Sequence, residues 1–144
     1  MRASIRPIRG SDVRAVAELS QHHFPLARID DGEVRRRISS GIAYIVAEYD
    51  GKVVGFVDLK LRERNAHISG IAVHPEYEGR GIGTMLINSA VDFARKNGKA
   101  ALMLTVKESN AKAVRFYSRL GFSLKGAKSG RSGGVLILWR GLEN

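Results

Sequence analysis

A glycine turn set between an apolar run and an amphipathic helix pattern constrains this chain more than any other feature. Ala66–Val73 is mostly apolar, with small residues at its centre, and Gly79–Gly83 follows a few residues later. After the turn, Leu86, Ile87, Ala90, Val91 and Ala94 recur at helical spacing, and Asn97-Gly98 supplies a stop. Ala100–Val106 is then a continuous apolar run, the pattern of a strand buried on both faces. Strand, glycine turn, helix and buried strand together call for a mixed α/β sheet.

The rest of the chain fits that frame. Ser4–Ile8 reads as a short edge strand around a proline. Ser11-Asp12 offers an N-cap ahead of Val13, Val16 and Ala17, and this helix is expected to end near His22–Pro25. Asp30 and Asp31 are placed to cap a second helix with Val34 and Ile38 on one face. Between the helices, His22–Gly32 is a candidate substrate-facing loop. Ile42–Tyr49 and Val53–Leu61 read as strands joined by Asp50-Gly51, a two-residue hairpin signal. Interior Gly70 suggests a bulge or a close backbone approach. Asn110 opens a further helix with Ala113, Val114, Tyr117 and Leu120 on one stripe. Phe122–Leu124, a mobile loop Lys125–Gly134 and the strand Val135–Trp139 complete the reading. No repeat or boundary divides residues 1–144, so a single α/β domain is expected.

Composition narrows the function. With 144 residues, 44% hydrophobic and 26% charged, the chain suits an ordinary globular domain, not a disordered one. No apolar run reaches the roughly 18 residues of a membrane span. The N-terminal MRASIRPIRG lacks the apolar centre of a secretory signal, so no membrane and a cytoplasmic location are expected. Cysteine is absent, and the four histidines stand scattered at His22, His23, His67 and His74, so no metal site is expected. A net charge of +10 points to an anionic partner. Aromatic residues are only 7% and never interleave with basic runs, which argues against nucleic acid.

The chemistry lies in Glu78-Gly79-Arg80-Gly81-Ile82-Gly83-Thr84. A helix N-terminus leaves its first N–H groups unpaired, and glycines let an anion approach the backbone, so such a turn cradles phosphates. A dinucleotide fingerprint would need an acid about 20 residues on, and none stands between Asp92 and Glu108. A Walker A loop would end Gly-Lys-Ser/Thr, whereas this one ends Gly83-Thr84-Met85.

In wider context, Val73-His74-Pro75-Glu76-Tyr77-Glu78-Gly79-Arg80-Gly81-Ile82-Gly83 resembles the acetyl-CoA-binding motif of the GNAT family of N-acetyltransferases. The segment from Asn110 to Phe122 resembles that family's second motif at the right distance. The expected order (strand, two helices, three strands, helix, strand, helix, two strands) matches along essentially the whole chain. The resemblance implies acetyl-CoA as cosubstrate, its pantetheine arm on the backbone of Ile71, Ala72 and Val73. Its pyrophosphate would rest on Gly79, Arg80, Gly81, Ile82, Gly83 and Thr84, with Asn110 at the pantetheine. Tyr117 would protonate the departing thiolate. Glu78 stands where the family usually has Gln or Arg, which implies weaker cofactor binding.

The general base has no clear carrier. The position where N-terminal acetyltransferases often have Glu corresponds to Thr105, leaving His67, Glu108 or a water. The acceptor is expected to be an amine, with a protein N-terminus or lysine favoured because the chain resembles the ribosomal-protein-acetylating branch. Asp30, Asp31 and Glu33 leave a small cationic amine open, such as an aminoglycoside, a polyamine or an amino acid. A non-catalytic acyl-CoA-binding module is a further alternative, and the assembly is expected to be a monomer or homodimer. From Lys107 to Arg131, seven basic residues meet one acid, which suits a phosphorylated cosubstrate.

Overall fold

The computed structural model describes residues 3–130 and 133–142; Arg131 of the basic stretch lies outside them. The chain forms β1 (Ala3–Pro7), α1 (Val13–His23), α2 (Asp31–Ser39), β2 (Ala43–Tyr49), β3 (Lys52–Leu61) and β4 (Asn65–Val73). It continues with α3 (Ile82–Lys96), β5 (Ala101–Lys107), α4 (Ala111–Arg119), β6 (Ser123–Gly130) and β7 (Gly133–Gly141). The expected order holds throughout. The strands make one mixed sheet, β1-β2-β3-β4-β5-β7-β6, in which, among the described residues, β4 with β5 is the one parallel pair.

Two apolar cores lie on opposite faces. One gathers Val57 and Leu59 of β3 with Leu86, Ala90 and Ala94 of α3 and Tyr117 of α4. The other gathers Tyr44 and Phe56 with Val13, Val16 and Ala17 of α1 and Val34 of α2. Strand alternation sends neighbouring residues of β3 into different cores. The β2–β3 hairpin turns at Asp50 and Gly51, with φ of 51° and 82°, the left-handed pair its sequence calls for. Among the described residues, no helix is long and apolar enough to cross a membrane.

Four local expectations need correction. Ser11-Asp12 does not cap α1 through the Asp12 side chain. That buried carboxylate takes two bonds from Arg6 (2.7 and 3.1 Å) and one from the Arg9 N–H (2.7 Å). Ile38 is 37% exposed, so only Val34 buries fully on α2. The Ala100–Val106 run is not buried on both faces: Met103 and Thr105 share one face by strand alternation, and they are half-buried and exposed respectively. Most of the expected Lys125–Gly134 loop is strand. Gly126–Gly130 pairs with Gly133–Ile137 at the sheet edge, where small and charged residues cost little because one side faces water.

The Arg6–Asp12 pair makes stability pH-dependent. The Arg6 hydrogen bonds hold the Asp12 carboxyl below its ordinary range, although burial opposes them. A depressed carboxylate stabilises the fold above its unfolded pKa, roughly 4, and that contribution is lost as pH falls through the folded value. Asp12→Asn is expected to cost about 2 kcal/mol at pH 7. It should also flatten the loss of stability below pH ~4 in urea titrations at several pH values.

Candidate active site

The site begins where β4 and β5 part. They pair only at Asn65–Ala101, Ala66–Leu102 and His67–Met103, and beyond that rung the strands diverge. The divergence coincides with a bulge: Asp58 of β3 faces Gly70, but Leu59 faces Ile68, leaving Ser69 as the extra residue. The gap between the strands opens into a cleft.

One lobe of the cleft, about 480 Å³, runs from Ile71–Val73 to the glycine turn and the start of α4. The turn is built for close approach. Gly79 and Gly81 take φ of 78° and 81°, left-handed values that suit glycine, and nothing lies within 4 Å of where their Cβ atoms would sit. α3 starts with the Met85 N–H donating to Gly81 O, so the N–H groups of its first turn have no helical carbonyl to meet. The lobe contains Gly79, Gly81, Ile82, Gly83 and Thr84 together with Asn110, as the sequence reading groups them. Arg80 is placed differently. Its guanidinium lies over the rings of Tyr49 and Tyr77, 5.2 and 5.0 Å from their centroids, so only its backbone belongs to the turn.

Asn110 caps α4. Its Oδ1 accepts the Ala113 N–H at 3.1 Å, which leaves Nδ2 to point elsewhere. Lys112 and Arg119 also border this lobe, and neither forms an ion pair among the described residues. Glu78 borders it too and is exposed.

A second lobe of about 270 Å³ is bounded by Phe24, Ser69, Gly70, Thr105 and Lys107, and it shares Ile71, Asn110, Ala113 and Tyr117 with the first. Tyr117 therefore stands at the junction. Its ring packs edge-on against Phe116 and Phe122 at 5.1 and 5.6 Å, and burial pushes its phenol up to about 12. At neutral pH it is a protonated acid with a proton to give.

The expected base candidates lie apart from this junction. His67 occupies the last β4–β5 rung but lines a different hollow with Lys60, Arg62 and Lys128; burial, then Arg62, lowers its pKa. Glu108 is exposed beyond β5, where its N–H donates to Gly134 O, and it borders neither lobe.

Sequence reading missed Asp58. This carboxylate is 2% exposed; its Oδ1 accepts the Gly70 N–H at 3.1 Å, and its Oδ2 lies 3.5 Å from Arg37 Nη2. Burial raises its pKa, against the Arg37 charge and the hydrogen bonds of Gly70 and Ser69. Its signal was one acid inside the apolar run Val53–Leu61.

The Acetyltransferase (GNAT) family model matches residues 13–122, and the chain belongs to that family. It is 43% identical over 90 residues to an uncharacterized N-acetyltransferase of Methanocaldococcus jannaschii, covering 57% of this chain and 39% of that protein. It is 36% identical over 74 residues to the [ribosomal protein bS18]-alanine N-acetyltransferase of Escherichia coli K12, covering 51% and 50%. The chain thus spans half or less of the length of these curated relatives. Among solved structures, it has the fold of a phosphinothricin acetyltransferase from Sinorhizobium meliloti, solved in complex with acetyl-CoA. The TM-score is 0.83 at 23% identity, covering 99% of this chain and 89% of that one.

Proposed function

We propose that the chain transfers an acetyl group from acetyl-CoA to a primary amine, and that the amine belongs to a protein N-terminus or a lysine. The observation that carries this reading is the position of Tyr117. Tyr117, whose phenol is protonated at neutral pH, lines both the lobe of the glycine turn and the lobe beside Phe24 and β4. Acyl transfer needs such a meeting point, with a thioester arriving from one side and an amine from the other. The backbone of Ile71, Ala72 and Val73, freed by the strand divergence, suits the amide groups of a pantetheine arm. The amides of Gly79–Thr84 suit a pyrophosphate, Asn110 Nδ2 suits a pantetheine carbonyl, and Lys112 and Arg119 add positive charge.

The acceptor assignment rests on charge. Asp30 is used in capping α2 through Glu33 N–H, Asp31 pairs with Arg14 at 2.9 Å, and Glu33 pairs with Arg36 at 2.6 Å. The acids that would draw a polyamine are thus occupied. Phe24 offers an apolar wall instead, which suits a peptide. The likeness to the E. coli protein named for ribosomal protein bS18 alanine supports the same direction.

The test is thiol release from acetyl-CoA over peptides with free N-termini, lysine peptides, polyamines and aminoglycosides. Peptide-dependent release supports the reading. Release with small amines alone overturns the acceptor, and binding of acetyl-CoA without release from any amine makes the chain a binding module. Glu78 gives a second check. An exposed carboxylate beside a pyrophosphate costs about 1 kcal/mol or less at physiological salt, so Glu78→Gln should tighten acetyl-CoA binding up to ~5-fold by calorimetry.

A further inference from the structure

The lobe bounded by Thr105 has no carboxylate or imidazole among its lining residues; His23 and Glu78 border the lobe of the glycine turn, and His67 and Glu108 lie elsewhere. Asp58 lies against Gly70, which forms part of the wall. A Cβ built on Gly70 would lie 3.6 Å from Asp58 Oδ2 and 3.5 Å from the Phe24 ring. Phe24 and Gly70 both line the Tyr117 lobe, so the space a Cβ would take at Gly70 adjoins both the carboxylate and residues of that lobe's wall. Any other residue at this position would close it.

We infer that Gly70 is a window through which Asp58 Oδ2 takes the proton of the acceptor ammonium. The inference rests on the acetyl-transfer reading above and adds its base. An N–H bond of the ammonium breaks, its electron pair stays on nitrogen, and an O–H bond forms on Oδ2. The freed pair forms the C–N bond to the acetyl carbon as the C–S bond breaks. Tyr117 gives its proton to sulfur and recovers one from the new amide nitrogen, and Asp58 later releases its own to water.

The surroundings suit this role. Arg37 of α2 opposes the effect of burial on Asp58 from 3.5 Å, and the Arg37 Nε is buried without a partner. From β2, Tyr44 faces the pair as a neutral phenol, pushed up to about 12 chiefly by burial. Glu33 lies farther off on α2, and β4 contributes only Ser69 and the Gly70 N–H. The raised carboxyl is a stronger base than an exposed aspartate.

The experiment pairs Asp58→Asn with Gly70→Ala, using any amine that the wild-type protein acetylates. Asn keeps the acceptor for the Gly70 N–H and removes the base. Ala at 70 meets its neighbours at ordinary contact distances, with no left-handed backbone to strain, and shuts the window. Both variants should lose about 100-fold in kcat at pH 7, with the acetyl-CoA Kd within about twofold of wild type. In both, kcat/KM should climb ~10-fold per pH unit up to the acceptor's own pKa, roughly 8 for an α-amine, whereas wild type levels off earlier. Should Asp58→Asn fail to fold, Gly70→Ala decides alone. Wild-type turnover in Gly70→Ala overturns the inference, as does a loss in either variant that high pH leaves unrepaired. An inactive wild-type protein would remove the transfer reading and this base together. An active one with equally active variants removes only the base.

Discussion

Tyr117→Phe is expected to lower thiol release from acetyl-CoA by about 100-fold at saturating substrates, the usual worth of a positioned general acid. The substitution removes one oxygen and keeps the ring between Phe116 and Phe122. Folding and acetyl-CoA affinity should therefore stay near wild type, separating chemistry from binding. The sign of the pH dependence follows from the phenol's position at about 12: across neutral pH it stays protonated, so it imposes no alkaline limb there. A rapid-quench assay beside calorimetric titration with acetyl-CoA checks both halves. An unchanged turnover would remove the acid from Tyr117.

Leu86→Ala is expected to destabilise the fold by about 3 kcal/mol and lower Tm by ~10 °C. Leu86 is fully buried one turn into α3, and its Cδ1 would lie 3.3 Å from a Cβ built on Gly55. Gly55 lets the helix settle directly on β3, so the leucine packs where Gly55 has no side chain to offer. Cavities that cannot collapse sit at the costly end of such truncations. Because the helix N-terminus carries the glycine turn, acetyl-CoA should restore part of the lost Tm by binding the folded state. Differential scanning calorimetry with and without acetyl-CoA measures both effects.

The parts of this molecule that were legible in the sequence are those decided within a few residues. The Asp50-Gly51 hairpin, the left-handed Gly79 and Gly81, the Asn110 cap and the apolar stripe of α3 all follow from local stereochemistry and period. What was not legible depends on distant partners. Asp12 looked like a cap until Arg6 and the Arg9 N–H claimed its carboxylate. The Arg80 guanidinium gains its neighbours, the rings of Tyr49 and Tyr77, only through the fold. Asp58 acquires its meaning from Gly70 and Arg37, brought to it by strand pairing and helix docking. β6 was hidden for another reason. Its Gly, Lys and Ser residues have weak strand preference, and the backbone ladder to β7 holds them together with Lys125 over the Trp139 ring.

The central claim is that one cleft, formed where β4 leaves β5, receives acetyl-CoA on Ile71–Val73 and Gly79–Thr84 with its thioester at Tyr117. The most direct test is backbone amide NMR of the labelled protein during titration with acetyl-CoA. The account predicts saturable shifts concentrated at Ile71, Ala72, Val73, Gly79 to Thr84 and Asn110, with β1 and α2 unmoved. Shifts confined to the β1–α1 side of the sheet, or none at millimolar acetyl-CoA, would contradict it.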